Sequence, residues 1–177
     1  HEGPVNIVKF SPDARFIASG GSDAKLMIWS IQKKRCEDIV CCNANGDITD
    51  IVWVSLQPNA LSLIFACADG TIHIMNSSLE EFKHIRTING FAGPVEKIDF
   101  DPFQQRLAAV GEGELKVWDV KIDCKFLSCT NGLNADVDLG SISLHATKLS
   151  TEFIAKTVHF FDQGRGILVG FLESHRM

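Results

Sequence analysis

Short stretches rich in Val, Ile, Leu and Phe recur along this chain, and Gly, Asp, Asn or Pro bounds each of them. Such stretches are typical of β-strands that are separated by turns. No long segment has the 3.6-residue hydrophobic period of an amphipathic helix, so the pattern predicts an all-β fold. The predicted strands are 5–10, 16–19, 25–30 and 36–42; 48–54, 61–67, 71–76 and 82–88; 95–100, 106–110, 114–120 and 125–130; and 157–161 and 167–172.

A sequence repeat groups these strands. Gly3-Pro4-Val5 recurs as Gly93-Pro94-Val95, and Trp29 has its counterpart in Trp118. Two units of about 45 residues fill the interval between these matching positions. Four strands in about 45 residues are typical of one antiparallel blade of a β-propeller. The predicted boundaries are about 1–43 for blade 1, 44–90 for blade 2, 91–130 for blade 3, 131–150 for a long connecting loop and 151–177 for a partial blade 4.

The middle and last copies of the repeat depart from the first. In the middle copy Met75 stands at the position of Trp29, and extra residues around 57–59 predict a longer loop. The last copy stops at Met177, before the position of its Trp, and the chain begins with His1 instead of Met. These features predict an incomplete arc of blades from a longer protein, with apolar blade faces exposed at both ends.

The first copy resembles the WD-repeat β-propeller family in its residue types and in their order: His1, Phe10-Ser11-Pro12-Asp13, Ser19, Asp23 and Trp29. The third copy keeps Trp118-Asp119, the dipeptide after which the family is named. The resemblance covers nearly the whole chain except about 131–150. It implies a propeller that binds a protein or peptide partner.

The resemblance also implies that four polar residues form a structural hydrogen-bond network inside blade 1: His1, Ser19, Asp23 and Trp29. Trp29 and Trp118 are expected at core positions, and Asp69 at a blade turn. Ser, His and Asp also form the catalytic set of hydrolases, so a propeller hydrolase that uses Ser19 is an alternative. No oxyanion-hole loop or sharp strand-to-helix turn accompanies Ser19, which favours a protein without catalytic residues.

Composition and charge narrow the function classes. The 177 residues are 45% hydrophobic and 22% charged, as in ordinary globular proteins. No apolar run approaches the roughly 20 residues that a membrane-spanning helix needs. The net charge of -5 and the pI near 5.6 argue against nucleic acid as the main partner, because phosphate binding needs a clustered basic face.

The sequence predicts neither a metal site nor a cofactor site. No cysteines have Cys-x-x-Cys spacing, and the histidines show no ligand spacing. Two matching cysteine pairs are expected as small, semi-buried hydrophobic residues in outermost strands: Cys36 and Cys41, and Cys124 and Cys129. His73, His159 and His175 are expected to face solvent or a sheet edge. Gly20-Gly21 is expected to serve a tight turn, where positive φ is often needed.

The predicted function is a protein–protein interaction scaffold inside the cell, in the cytoplasm or the nucleus. The net negative charge of the chain favours a partner with a basic patch. The candidate contact residues are acidic side chains at blade entries and turns: Glu2, Asp47, Glu96, Asp136 and Asp138. The stretch 131–150 is either a partner-contacting loop or a linker without a binding role. Two further hypotheses are self-association through the open end blades and a propeller fragment that has no independent activity.

Overall fold

The computed structural model describes residues 1–57, 60–78, 81–121, 124–131 and 153–173. All regular secondary structure in these ranges is β-strand, as the hydrophobic pattern predicts. The chain forms two compact units, His1–Val95 and Glu96–Met177.

The first unit contains two antiparallel sheets of four strands each, and the strands of each sheet follow one another in chain order. This order is expected where short turns join consecutive strands. The first sheet consists of β1 (Val5–Phe10), β2 (Phe16–Gly21), β3 (Lys25–Ser30) and β4 (Arg35–Cys41). The second sheet consists of β5 (Ile48–Gln57), β6 (Ala60–Cys67), β7 (Thr71–Ser78) and β8 (Glu81–Asn89).

The second unit contains a third four-stranded sheet and a two-stranded sheet, both antiparallel. The third sheet consists of β9 (Val95–Asp101), β10 (Arg106–Gly111), β11 (Glu114–Asp119) and β12 (Lys125–Asn131). Its first strand begins at the last residue of the first unit. The two-stranded sheet consists of β13 (Phe153–Phe161) and β14 (Gly166–Glu173).

Aspartates fix the turn after the first strand in two of the sheets. Asp13 Oδ1 accepts a hydrogen bond from the backbone N–H of Arg15 at 3.0 Å. Asp101 accepts from the backbone N–H groups of Phe103 at 3.0 Å and Gln104 at 2.9 Å. A carboxylate in such a turn pairs N–H groups that have no strand partner, which is why Asp is favoured there.

Each predicted strand is present, but one predicted loop is shorter than expected. The longer loop expected around 57–59 is wrong at Gln57, because this residue belongs to β5 and pairs with Ala60 of β6. The additional residues therefore lengthen the hairpin. Pro58 and Asn59 lie outside the described residues, and so does any third strand after Glu173.

Gly20 and Gly21 lie in β2, so the expectation that they form a tight turn is wrong. Close approach of other side chains explains both glycines. A Cβ atom on Gly20 would overlap the side chain of Ile48. A Cβ atom on Gly21 would lie 2.7 Å from Asp23 Oδ1 and 2.8 Å from His1 Nδ1. Gly21 therefore leaves the space in which these two side chains meet.

The core of the first unit lies between its two sheets. The first sheet contributes Ala18, Leu26 and Ile28, all of which are fully buried. The second sheet contributes larger side chains: Ile51, Trp53, Leu63, Phe65, Met75 and Phe82. Full burial of one such side chain stabilises a fold by about 1.5–3 kcal/mol, so this interface holds the two sheets together.

The opposite face of the first sheet carries several exposed apolar side chains. Register places Phe10 opposite Ile17 and Ile17 opposite Trp29, so these three side chains form one row across the face. Phe10 is 66% exposed, and Val8 and Ile39 on the same face are 52% and 49% exposed. Trp29 is half-buried, so the expectation that it is a core residue is wrong for the described chain.

The core of the second unit lies between the third sheet and the two-stranded sheet. Ala108, Val110 and Val117 pack against Ala155 and Val158. The opposite face of the two-stranded sheet exposes a further set of apolar side chains: Ile154, Phe161, Leu168 and Leu172.

Candidate functional site

Four side chains of the first sheet form a continuous chain of hydrogen bonds. His1 Nδ1 lies 2.9 Å from Asp23 Oδ1, and His1 Nε2 lies 2.8 Å from Ser19 Oγ. The indole N–H of Trp29 donates to Ser19 Oγ at 3.0 Å. Ser19 lies on β2, Trp29 lies on β3 and Asp23 lies in the turn between these strands, so the hairpin itself assembles three of the four groups.

The carboxylate sets the direction of each hydrogen bond in this chain. Because Asp23 only accepts, a neutral His1 carries its proton on Nδ1, and its Nε2 accepts from the Ser19 hydroxyl. Ser19 Oγ in turn accepts from the Trp29 indole N–H. Every member is paired, as buried polar groups require.

Two backbone groups also bind the Asp23 carboxylate. The N–H of Glu2 donates at 2.8 Å and the N–H of Lys25 at 3.2 Å. Burial raises the pKa of Asp23, but the hydrogen bonds from Glu2 and Lys25 outweigh it, so the pKa lies below the ordinary value. The side chain is therefore an ionised acceptor at neutral pH.

Ser19, His1 and Asp23 have the hydrogen-bond order of a hydrolase triad, but their site is closed. Ser19 is 5% exposed, and the Trp29 indole N–H occupies its hydroxyl oxygen. A serine nucleophile needs an open approach for the substrate carbonyl and donors for the oxyanion. The geometry therefore argues against Ser19 as a nucleophile.

Two of the predicted contact residues lie in the first unit. The Glu2 side chain is 82% exposed, and its Oε2 lies 3.0 Å from Lys25 Nζ. Asp47 is half-buried, and its backbone carbonyl accepts from the N–H of Ala68 at 2.9 Å. Glu2 is therefore the more accessible of these two carboxylates.

The remaining predicted contact residues lie in the second unit. Glu96 Oε1 accepts from Lys156 Nζ at 2.6 Å, and the Glu96 side chain is 30% exposed. Glu2 and Glu96 are thus both paired with a lysine, and Glu96 is the less exposed of the two. Asp136 and Asp138 lie outside the described residues, as does most of the predicted loop.

Two further residues are predicted at a blade turn and at a core position, and they differ in burial: Asp69 is exposed and Trp118 is buried. Asp69 lies in the turn between β6 and β7 and accepts from Asn45 Nδ2 at 2.7 Å and from the Thr71 hydroxyl at 2.6 Å. Trp118 in β11 is 4% exposed and contacts the ring of Phe126 edge-on at 6.0 Å.

The second sheet contains a polar chain that sequence reasoning missed. Thr71 Oγ1 lies 2.9 Å from His73 Nε2, and His73 Nδ1 lies 3.3 Å from His84 Nε2. His73 is 8% exposed, so the expectation that it faces solvent is wrong, whereas the His159 side chain is 61% exposed and His175 lies outside the described residues. One signal was available: strand alternation places His73 on the same face as Met75, which holds the position of a repeat Trp.

The cysteines do not form a repeated set. Cys36 is half-buried and Cys41 is exposed, both in β4, while Cys124 lies in the turn before β12 and not in an outermost strand. The side chain of Cys129 lies outside the described residues. Among the thiols that the structure describes, Cys42 and Cys67 are buried, and the hydrogen bond to Cys42 together with burial raises the pKa of Cys67.

The ranges that the structure describes contain neither a cluster of metal ligands nor a membrane-spanning helix. No group of three or more His, Cys, Asp or Glu side chains there is arranged to hold a metal ion. No helix there is long and apolar enough to cross a membrane.

Comparisons with known sequences agree with the repeat. The family described as "WD domain, G-beta repeat" matches residues 1–30 and 82–119. The chain is 33% identical over 117 residues to the transcriptional corepressor LEUNIG_HOMOLOG of Arabidopsis thaliana, an alignment that covers 65% of this chain. It is 28% identical over 127 residues to the pre-mRNA-splicing factor cwf17 of Schizosaccharomyces pombe, with 70% of this chain covered. The chain spans only 14% and 36% of these two relatives.

Solved structures show the same fold. The WD40 repeats of RRP9 match with a TM-score of 0.63 and 17% identity over 73% of this chain and 39% of that chain. The structure of U3-55K matches with a TM-score of 0.63 and 16% identity over 76% of this chain and 41% of that chain.

Proposed function

We propose that this chain, which belongs to the WD-repeat β-propeller family, is a scaffold that presents its turns to a protein or peptide partner. The chain spans 14% and 36% of the two curated relatives, so the partners of the whole protein are part of this proposal. Those relatives are named as a transcriptional corepressor and a pre-mRNA-splicing factor, which supports a place in the nucleus or cytoplasm.

The way in which Glu2 is held carries the proposal. Its backbone N–H donates to Asp23 Oδ2 at 2.8 Å, while its side chain is 82% exposed. The internal network of the first sheet therefore fixes the backbone of a residue just before β1 that carries an accessible carboxylate. Binding residues are concentrated on loops that a rigid scaffold positions.

The partner's contact region is basic in this proposal. The chain carries a net charge of -5, and the carboxylates of Glu2 and Asp47 lie in the first unit. Complementary charge accelerates encounter between partners, and salt screens it. The affinity for a basic peptide should therefore fall as ionic strength rises.

An array of Lys/Arg-rich peptides, read by fluorescence anisotropy, tests the contact residues. Each carboxylate is neutralised in turn: Glu2→Gln, Asp47→Asn, Glu96→Gln, Asp136→Asn and Asp138→Asn. Loss of one charge at an interface rim should weaken binding about two- to fivefold. The matched control is Glu81→Gln, because the Glu81 side chain is 77% exposed but lies at the start of β8. Unchanged affinity in all five variants would remove the proposed surface.

The proposal includes the absence of enzymatic activity. The closed surroundings of Ser19 support this part, since the residue is 5% exposed and its hydroxyl is paired on both sides. A fluorophosphonate probe should leave the native chain unlabelled. Labelling of Ser19, located by peptide mass spectrometry, would establish the hydrolase alternative instead.

A second candidate is a section of a larger propeller that has no activity of its own. The exposed apolar face around Phe10 and Val8 favours it, because further strands of a longer chain would bury that face. The longer protein and this chain should then be compared on the same peptide array. Binding by the longer protein alone would support this candidate over an independent scaffold.

A further inference from the structure

Two histidines on adjacent strands of the second sheet point ring nitrogens at each other. His73 Nδ1 lies 3.3 Å from His84 Nε2, and the rings are 5.4 Å apart at an angle of 58°. An irregularity in the pairing of β7 with β8, between Ile74 and Met75, sets this register. Thr87, which pairs with His73, places its hydroxyl oxygen 3.1 Å from His73 Nδ1 and 3.0 Å from His84 Nε2.

The hydrogen bonds behind His73 determine which nitrogen carries its proton. The Thr71 hydroxyl donates to Asp69 Oδ1 at 2.6 Å, because a carboxylate only accepts. Thr71 Oγ1 is then an acceptor for His73 Nε2, which lies 2.9 Å away. His73 therefore carries its proton on Nε2, and Nδ1 presents a lone pair toward His84.

Packing holds the His73 ring in this orientation. Its ring stacks on Phe65 with centroids 4.9 Å apart and planes 15° from parallel. His73 is 8% exposed, whereas His84 and Thr87 are exposed at the surface of β8. One nitrogen of the pair is thus fixed, and the other is reachable from solvent.

We propose that His73 Nδ1 and His84 Nε2 together bind a divalent transition-metal ion such as Zn²⁺ or Ni²⁺. Two imidazole nitrogens on a tetrahedral zinc ion at about 2.0–2.1 Å lie about 3.3–3.4 Å apart, which matches the observed 3.3 Å. Imidazole is a suitable ligand for both ions. Binding requires neutral His84 with its proton on Nδ1, so that its Nε2 also offers a lone pair.

The surroundings fit a metal ligand in two further respects. Metal-binding histidines usually donate their other N–H to a carboxylate or another acceptor. Here His73 Nε2 donates to the Thr71 hydroxyl oxygen, and the Thr71 hydroxyl donates to Asp69. Water and the Thr87 hydroxyl are available to complete the coordination. In the described ranges no third His, Cys, Asp or Glu joins the pair, so the site is open and exchangeable, unlike closed structural zinc sites.

Calorimetric titration of the full chain, without an affinity tag, with NiCl₂ and ZnCl₂ tests the site. His84→Ala is the main variant, because His84 is exposed and its loss should leave the fold intact. It should weaken Ni²⁺ binding at least tenfold, whereas His159→Ala, which removes another exposed histidine, should not change it. Cys41→Ser should not change it either, which excludes the exposed thiol as the ligand.

A second variant tests the relay behind His73. Thr71→Val should weaken Ni²⁺ binding by about 10–100-fold, the usual effect of losing a group that orients a ligand. Two results would overturn the proposal. One is no detectable binding of either ion at millimolar concentration, and the other is wild-type affinity in His84→Ala.

Discussion

The indole N–H of Trp29 donates to the Ser19 hydroxyl oxygen at 3.0 Å, which closes a chain of hydrogen bonds that ends on the Asp23 carboxylate. Ser, His and Asp side chains, which form catalytic sets in hydrolases, therefore stabilise the first sheet through hydrogen bonds. The same carboxylate also binds the backbone of Glu2. The network thereby connects the interior of the sheet to an exposed residue at its edge.

Removal of the Ser19 hydroxyl should destabilise the fold. Ser19→Ala leaves His1 Nε2 and the Trp29 indole N–H without their partner, and an unsatisfied buried polar group costs about 1–3 kcal/mol. Urea unfolding should show this loss in the free energy of unfolding. Ser22→Ala is the matched control, because the Ser22 hydroxyl bonds to the exposed Asn6 side chain, and it should cost less than about 0.5 kcal/mol. Equal costs for both variants would contradict a structural role of the network.

A methyl group on Gly21 should separate His1 from Asp23. It would lie 2.7 Å from Asp23 Oδ1 and 2.8 Å from His1 Nδ1, closer than such atoms pack. Gly21→Ala should therefore cost about 1–3 kcal/mol of unfolding free energy, as overpacking does. Gly3→Ala is the control, because its added carbon would meet nothing closer than 3.4 Å. Wild-type stability of Gly21→Ala in thermal unfolding would show that the pair can move apart freely.

The stability that Asp23 contributes should depend on pH. Hydrogen bonds from Glu2 and Lys25 hold its folded-state pKa below the ordinary carboxyl value, despite the opposing effect of burial. The contribution is therefore fully present above the unfolded pKa of about 3.9 and is lost as pH falls through the lower folded pKa. The stability difference between wild type and Asp23→Asn should shrink between about pH 5 and pH 2. A difference that stays constant over this window in urea titrations would contradict the account.

The exposed face of the first sheet should promote self-association. Phe10 is 66% exposed in a row with Ile17 and Trp29, and exposed apolar patches are typical interaction surfaces. Phe10→Ser should lower the weight-average mass in sedimentation equilibrium at high concentration. Phe103→Ser removes a phenylalanine of similar exposure, 64%, from a turn, and it should leave the mass unchanged. A wild-type chain that is monomeric at every concentration would contradict this prediction.

The strands could be predicted from the sequence because their limits depend on local chemistry. Asp13 and Asp101 fix turns through contacts two or three residues away, and such contacts leave a recognisable pattern. The predicted starts of β2 and β10, the strands that follow these two turns, therefore coincide with the observed ones.

The sequence-based predictions that were wrong concern residues whose positions depend on contacts between strands and between sheets. Gly20 is small because Ile48 approaches from the second sheet, and no local pattern indicates that approach. His73 is buried because its sheet face packs in the core, which depends on the partner sheet and not on alternation alone. Its proximity to His84 depends on an irregular strand register that composition does not determine.

In the proposed scaffold, the network fixes Glu2 as a binding residue. A double-mutant cycle with Glu2→Gln and Asp23→Asn, measured by anisotropy with a Lys/Arg-rich peptide, tests it most directly. Each single variant should weaken binding about two- to fivefold, and the double variant should bind no more weakly than the worse single one. Wild-type affinity in Asp23→Asn, or losses that simply add in the double variant, would contradict it.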